Sequence, residues 1–356
     1  MNDFWQNKNI LITGHTGFKG GWLSVFLHNL GSKLFGISKT KEQGIYSLAN
    51  LKSIFENEWF FDLGKVNTEN ITQIIKEIKP DIIFHFAAQA IVSIGYSNPI
   101  ETIQSNSIAT LNLLLAIEES RSCNSVVVAT TDKVYKNSEK DNIETDLLGG
   151  SDIYSISKVN VENIISYFNE VKSFQPKISK VRSGNVLGGG DRGINRLTTD
   201  IVNSFLKNQV LYVRNLNSIR PWQYVLDSIF GYLLVAEQNF NSGLSETYNL
   251  NSKNNNKYTV NFLINEFQNN LDYKLKIKTE NKIFQEKNTL LINSDKARSQ
   301  LNWSTETKLE KTVSKIVQWE IYHNRLNSPN TDYSNNEVRE FIINNNLDYK
   351  LQNLSN

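Results

Sequence analysis

The segment Thr13-Gly14-His15-Thr16-Gly17-Phe18-Lys19-Gly20 spaces three glycines three residues apart. It follows the short apolar run 9–13 and precedes an apolar pattern of helical spacing. This frame restricts the fold more than any other stretch of the chain. In a dinucleotide fold the first glycine permits the tight turn, the second lets backbone approach a pyrophosphate, and the third lets the helix pack on the strand. Free N–H groups at the helix start then face the phosphates. Residues Gly14, His15, Thr16, Gly17, Phe18, Lys19 and Gly20 are therefore assigned to a cofactor. The plainer alternative is an ordinary glycine-rich turn between strand and helix.

The pattern beyond the turn alternates. Trp22, Leu23, Phe26, Leu27 and Leu30 fall at helical spacing, with Gly31 as a stop. Residues 33–38 read as a second strand. Ile71, Ile74, Ile75 and Ile78 form one helical face, closed by Pro80. Residues 81–86, 125–129 and 177–182 read as further strands, with helices over 110–119 and 154–170 between them. Apolar strands alternating with helices predict a doubly wound parallel α/β sheet of Rossmann type, covered on both faces. The nucleotide domain is expected over residues 1–184, with segments near 223–250 returning to it. A smaller substrate-binding domain is expected mainly from 185–325. Leu309, Val313, Ile316, Val317 and Ile321 give a late amphipathic helix. Residues 326–356 are polar and Asn-rich and read as an appendage or frayed tail.

Composition excludes several classes. Lys and Arg number 38 against 36 Asp and Glu, for a net charge of +2, so charge makes no case for nucleic acid or a membrane surface. A single cysteine, Cys123, forms no internal disulfide and no cysteine-cluster metal site, and no metal is expected. No apolar run approaches the roughly 18 residues of a membrane span. The N-terminus, with Asp3, lacks the apolar core of a signal peptide. A soluble cytoplasmic protein is expected.

The cofactor is expected to be NAD, with NADP left open. A dinucleotide fold usually offers an acid about 20 residues after the turn. Here the second strand ends Ile37-Ser38-Lys39-Thr40-Lys41. Its hydroxyl and lysine groups suit a 2′-phosphate, or the lysines are surface charges. Asp62, followed by Leu63, is a candidate for the adenine end, or else a turn residue.

Tyr154 and Lys158 stand four apart and share one helix face. A neighbouring ammonium favours phenolate, letting the phenol take a hydroxyl proton near neutral pH. Tyr154 and Lys158 are also assigned to the cofactor, the lysine to the nicotinamide ribose. Thr131, at the end of strand 125–129, supplies a second hydrogen bond to a substrate oxygen. Asn185, Arg196 and Arg220 are candidates to hold a nucleoside diphosphate, since guanidinium forks suit phosphate.

The glycine turn, Thr131 and the Tyr154–Lys158 pair together resemble the extended short-chain dehydrogenase/reductase family over residues 8–325. Finer features resemble its CDP-glucose 4,6-dehydratase branch: Ala87-Ala88-Gln89, Thr131-Asp132-Lys133 before Tyr135, Gly188-Gly189-Gly190-Asp191, Arg220-Pro221-Trp222-Gln223 and Leu301-Asn302-Trp303. The resemblance implies conversion of a CDP-sugar, CDP-glucose, to its 4-keto-6-deoxy product plus water, with the cofactor reduced and re-oxidised on the same sugar. It places Ala87, Ala88 and Gln89 by the cofactor, and a homo-oligomer, dimer or tetramer, is expected. The dTDP-glucose dehydratases carry Thr-Asp-Glu where this chain has Thr131-Asp132-Lys133. Asp132 is then the acid for the C6 hydroxyl, kept protonated by burial. Lys133 is either the base at C5 or a purely electrostatic group, and His15 is an alternative proton carrier. Tyr224, Asp227 and Arg192 stand where this branch has His, Glu and Trp, and Thr198-Thr199 replaces an apolar-Pro pair. A nucleotide-sugar 4-epimerase, a dehydratase for another nucleotide sugar, and a silent dinucleotide-binding regulator are the alternatives.

Overall fold

The computed structural model describes the chain except residues 1–2, 42–43, 137–140, 173, 253–257, 280–290, 327–328, 348 and 350–356. The strands are β1 (Asn9–Thr13), β2 (Lys33–Ser38), β3 (Asn57–Phe60), β4 (Ile82–His85), β5 (Ser125–Ala129), β6 (Ile178–Ser183), β7 (Asn185–Leu187), β8 (Leu211–Val213), β9 (Trp222–Tyr224), β10 (Thr247–Leu250) and β11 (Ile277–Thr279). The first helices are α1 (Phe18–Asn29), α2 (Ile45–Leu48), α3 (Thr68–Ile78), α4 (Val92–Ser97), α5 (Pro99–Ile103), α6 (Ala109–Ser120) and α7 (Ile153–Ser166). After them come α8 (Leu197–Leu206), α9 (Val225–Ser242), α10 (Val260–Leu271), α11 (Asp295–Leu301), α12 (Leu309–Arg325) and α13 (Asp332–Asn344).

The continuous apolar strands bury both faces, as parallel strands between helix layers must. Along β1, Ile10 and Ile12 face one core and Leu11 the other; along β4, Phe84 and Ile83 divide the same way. The result is a seven-stranded sheet in the order β10-β6-β5-β4-β1-β2-β3, every pair parallel. Helices α1, α9 and α13 contribute to the core on one face. Helices α3, α6 and α7 contribute to the core on the other. The order reverses between β1 and β4, and at such a switch point the carboxyl ends of the strands open a crevice for ligand. The glycine turn follows β1 directly.

Short parallel pairs, β7 with β9 and β8 with β11, lie outside the main sheet. A third core joins Ile201, Val213, Leu263, Phe267, Val313 and Ile316 from α8, β8, α10 and α12. The chain returns to the large sheet through β10, with α9 packed on β5 and β6.

Two local features differ from the sequence reading. Strand β3 pairs with β2 at the sheet edge and was not expected, because Asn57 and Glu58 interrupt its apolar pattern. The tail is not frayed through 332–344: α13 packs on α1 with Val338, Phe341 and Ile342 buried in the main core. Its apolar stripe is narrow enough for the surrounding Asn residues to mask it. The polar connector expected at 251–257 falls largely outside the described residues.

Candidate active site

One cleft of about 880 Å³ runs along the carboxyl ends of β1, β2, β4 and β5 and on to β7, β8 and α8. The glycine turn forms its floor. Gly14 has φ +76°, and a Cβ there would meet the backbone N of Ala87 at 2.6 Å. A Cβ on Gly20 would collide with the Gly14 carbonyl oxygen. These two contacts press turn, helix and β4 loop together. Gly17 caps α1 with no side chain bonded to the first-turn N–H groups, leaving that helix end open to an anion in the cleft. A pyrophosphate therefore fits the turn as built.

Along the cleft from the turn, Thr16, Ser38, Asp62 and Leu63 line one end. The Asp62 carboxylate accepts from the Gly64 N–H at 2.9 Å and pairs with Lys39 at 3.3 Å. Lys39 also holds Glu101 at 2.6 Å, and Lys41 lies 5.1 Å from the Phe60 ring centroid. Both lysines are thus engaged, which favours a free ribose hydroxyl over a 2′-phosphate at this end. Phe18, Ala87, Ala88 and Gln89 line the middle; the Gln89 amide N–H donates to Thr102 at 3.0 Å and braces the loop after β4.

His15 is a correction. Its ring has no exposure, packs over Gly36 of β2, and bonds Glu58 at 2.8 Å and Ser38 at 3.1 Å. The side chain does not line the cleft and carries no proton to it. The direction of this side chain depends on β3, the strand that the sequence reading missed.

At the other end stand Thr131, Asp132, Lys133 and Tyr154. Helix α7 starts at a capping box in which the Asp152 carboxylate accepts from the Ser155 N–H at 3.0 Å. That cap fixes the first turn, and with it the inward direction of Tyr154. The phenol bonds the Thr131 hydroxyl, which donates to Asp132 Oδ1 at 3.0 Å. The second carboxylate oxygen, Oδ2, is buried without a hydrogen-bond partner among the described residues. An orphaned buried acceptor on a cleft wall is costly unless a ligand answers it.

The electrostatics differ from the expectation for Tyr154. Burial is the largest influence and pushes its pKa up to about 12; the Thr131 bond and the Arg196 charge oppose it, and Asp132 adds to it. Lys158 lies behind the cleft wall, with its Nζ on the Ala129 carbonyl at 3.1 Å. Burial lowers its own pKa to about 8, with Glu162 opposing. The resting phenol is therefore neutral, and the ammonium does not by itself generate a phenolate.

Asn185, Arg196 and Arg220 all line the far part of the cleft. Arg196 pairs with Asp191 at 2.8 Å, and the Arg220 guanidinium donates to the Ile219 carbonyl at 2.9 Å.

The family model described as GDP-mannose 4,6 dehydratase matches residues 11–316. The chain belongs to that family. It is 35% identical over 334 residues to a CDP-glucose 4,6-dehydratase of Salmonella typhimurium, covering 89% of this chain and 91% of that one. It is 26% identical over 262 residues to a UDP-glucose 4-epimerase of Mycoplasma genitalium, covering 68% and 76%. Among solved structures, MoeE5 in complex with UDP-glucose and NAD superposes with a TM-score of 0.78 at 19% identity, covering 88% of this chain and 99% of that one. These structures show the same extended short-chain dehydrogenase/reductase fold.

The positions expected to depart from the branch pattern separate into two groups in the structure. Tyr224 bonds Glu337 of α13, and the Asp227 carboxylate accepts from the Thr307 N–H at 2.7 Å. Neither lines the cleft, so they concern the docking of the C-terminal segments. Arg192 and Thr198 do line it, and Arg192 is held by Glu320 at 2.6 Å. Beneath the cleft lies a network that the sequence reading missed. Arg182 grips Glu162 with two 2.9 Å bonds and donates to Tyr135 at 2.9 Å, while Glu162 accepts from Thr130 at 2.8 Å. Its one signal was spacing: Glu162 follows Lys158 by four residues on the face of α7 that carries Tyr154.

Proposed function

We propose that this protein is an NAD-dependent lyase that converts CDP-glucose to CDP-4-keto-6-deoxyglucose and water. The observation that carries the reading is the chain of bonds from Tyr154 through Thr131 to Asp132 Oδ1, beside a second carboxylate oxygen, Oδ2, that is buried without a hydrogen-bond partner among the described residues. The CDP-glucose relative at 35% identity supports the choice of nucleotide.

Bound NAD supplies a hydride acceptor for C4 and, later, the hydride donor for C6. The protein's part is the protons. A neutral phenol need not ionise first: as Tyr154 takes the C4 hydroxyl proton, its own passes to Thr131 and from there to Asp132. Asp132, now protonated, gives that proton to the C6 oxygen as the C6–O bond breaks, and water leaves. The C4 ketone acidifies C5–H; we assign its removal and return to Lys133. The balance is the loss of one water, with Tyr154, Thr131 and Asp132 back in their starting states. Asn185, Arg196 and Arg220 are assigned to the diphosphate, and Lys158 to orienting the wall behind Tyr154.

A homo-oligomer is also proposed. Ile100 (75% exposed), Leu115, Ile156 and Tyr167 leave apolar surface on and beside α5, α6 and α7, and light scattering tests it.

The test of function is a substrate panel. CDP-glucose, dTDP-glucose, GDP-mannose and UDP-glucose are each incubated with enzyme and NAD, and 4-keto-6-deoxy product is read by its absorbance after alkali. Product from CDP-glucose above the others is the expected result. Product from another sugar moves the nucleotide assignment, and a C4 epimer of UDP-glucose without dehydration supports the epimerase reading.

A further inference from the structure

Asp132 enters the cleft from a single short helical turn, Asp132–Val134, of the tight kind whose own hydrogen bonds are poorly aligned. Its backbone bond, from the Val134 N–H to the Thr131 carbonyl, is long at 3.4 Å. A carboxylate that passes protons needs a firmer mount than that. The residues on either side of the turn supply it.

Ahead of the turn, the Thr130 hydroxyl donates to Glu162 Oε1 at 2.8 Å. One helical turn earlier on α7, Lys158 Nζ donates to the Ala129 carbonyl at 3.1 Å. Helix α7 thus grips the end of β5 at two successive residues. After the turn, the Tyr135 hydroxyl accepts from Arg182 Nη1 at 2.9 Å and donates to Asn249 Oδ1 at 2.7 Å. Arg182 is the same guanidinium that holds Glu162 through Nε and Nη2. Both ends of the turn therefore finish on one ion pair. Asn249 is fixed in its own right, its amide donating to the carbonyls of Asn142 and Asn293 at 3.0 Å each. Thr130, Tyr135, Glu162, Arg182 and Asn249 are all buried. Burial works to raise the Glu162 pKa, yet Arg182, Lys180 and Thr130 carry it below its usual value, so the pair is ionised.

A buried ion pair is a poor device for stability alone, since apolar residues of similar volume often serve as well. Its placement around the turn that carries Asp132 points to geometry instead. We propose that the Glu162–Arg182 pair clamps this turn at both ends and so sets where the Asp132 carboxylate stands, with Thr130 and Tyr135 as positioning residues for the proton path from Tyr154. This rests on the dehydratase reading above. Tyr135 does not line the cleft, and the Thr130 hydroxyl is turned to Glu162. Loosening either end shifts Asp132 and slows the chemistry, while the substrate contacts are left in place.

The experiment compares Tyr135→Phe, Thr130→Val and Thr130→Ser with wild type on the preferred sugar of the panel. Tyr135→Phe keeps the ring, whose centroid lies 4.9 Å from the guanidinium, and removes only the hydroxyl. Rates are taken well below each melting temperature and divided by the number of NAD-binding sites counted by calorimetry. Tyr135→Phe and Thr130→Val are each expected to lower kcat per site by roughly 10–100-fold, the scale of a misplacement near 1 Å, with KM within about threefold of wild type. Thr130→Ser keeps the hydroxyl and should restore kcat to within about threefold. Tyr248→Phe is the control. It removes another buried hydroxyl of β10, bonded to Gln238 and Gln300 on the face away from Asn249, and should leave kcat unchanged.

A lower melting temperature or fewer NAD-binding sites, with kcat per site unchanged, would make the network structural only and overturn the proposal. Equal losses in Thr130→Ser and Thr130→Val overturn it too, as does a Tyr248→Phe loss matching that of Tyr135→Phe. If Tyr135→Phe fails to fold, the two Thr130 variants decide. Wild type that yields no 4-keto-6-deoxy product from any sugar overturns the dehydratase reading and this proposal together; active wild type with unimpaired variants overturns this proposal only.

Discussion

Tyr154 touches Thr131, while Lys158, four residues on, touches the Ala129 carbonyl. The two side chains share a helix face and have separate tasks. Tyr154→Phe is expected to lower turnover by about 10²–10⁴-fold, the usual worth of positioned proton transfer, with NAD affinity within a few-fold of wild type. Titration calorimetry beside steady-state rates checks both halves. Asp132→Asn tests the path of the proton. An amide cannot receive it through Thr131, so C4 oxidation and elimination should fail together. Mixing the variant with NAD and CDP-glucose should then give neither product nor nicotinamide absorbance. Reduced nicotinamide accumulating without product would instead make Asp132 an elimination acid alone.

At the scale of elements, the catalytic helix and the C-terminal helix are each held by a buried carboxylate. Glu162 ties α7 to β6 through Arg182, and Glu162→Ala leaves that guanidinium buried without its partner. Such losses cost roughly 3–5 kcal/mol, to be read as a drop in urea midpoint. Glu337 ties α13 to Tyr224, and burial pushes its pKa up to about 7, with Tyr224 and Lys315 opposing and Glu340 adding. Its folded pKa is above its unfolded value, so its contribution to stability is full below about pH 4.5 and is lost as pH rises through about 7. Thermal melts at pH 5 and pH 8 should therefore differ less in Glu337→Gln than in wild type, by an amount of order 1–3 kcal/mol.

Over the whole molecule, the cleft joins the large sheet to the β7–β9 and β8–β11 pairs, so its occupation couples the two halves. A ligand that binds only the folded state stabilises it by about 2.7 kcal/mol at 100 times its Kd. NAD with CDP-glucose should raise the melting temperature more than either alone, and NADP should do less than NAD because Lys39 is already held by Asp62 and Glu101. Equal shifts from the two dinucleotides would count against that assignment of the adenosine end.

What the sequence by itself determined is local or periodic. The turn at Gly14, Gly17 and Gly20, the buried strands β1, β4 and β5, and the shared face of Tyr154 and Lys158 all follow from backbone freedom and side-chain period. Only the tertiary structure decided which groups meet across the chain. It turned His15 toward Glu58 and out of the cleft, buried Asn-rich α13 on α1, and set Lys19 of the turn under the influence of Asp132, Lys158 and Arg196. It also made the Tyr154 phenol neutral, because desolvation outweighs the neighbouring charge. Periodicity places a side chain on a face. Its charge state depends on everything packed against that face, and those neighbours come from distant parts of the chain.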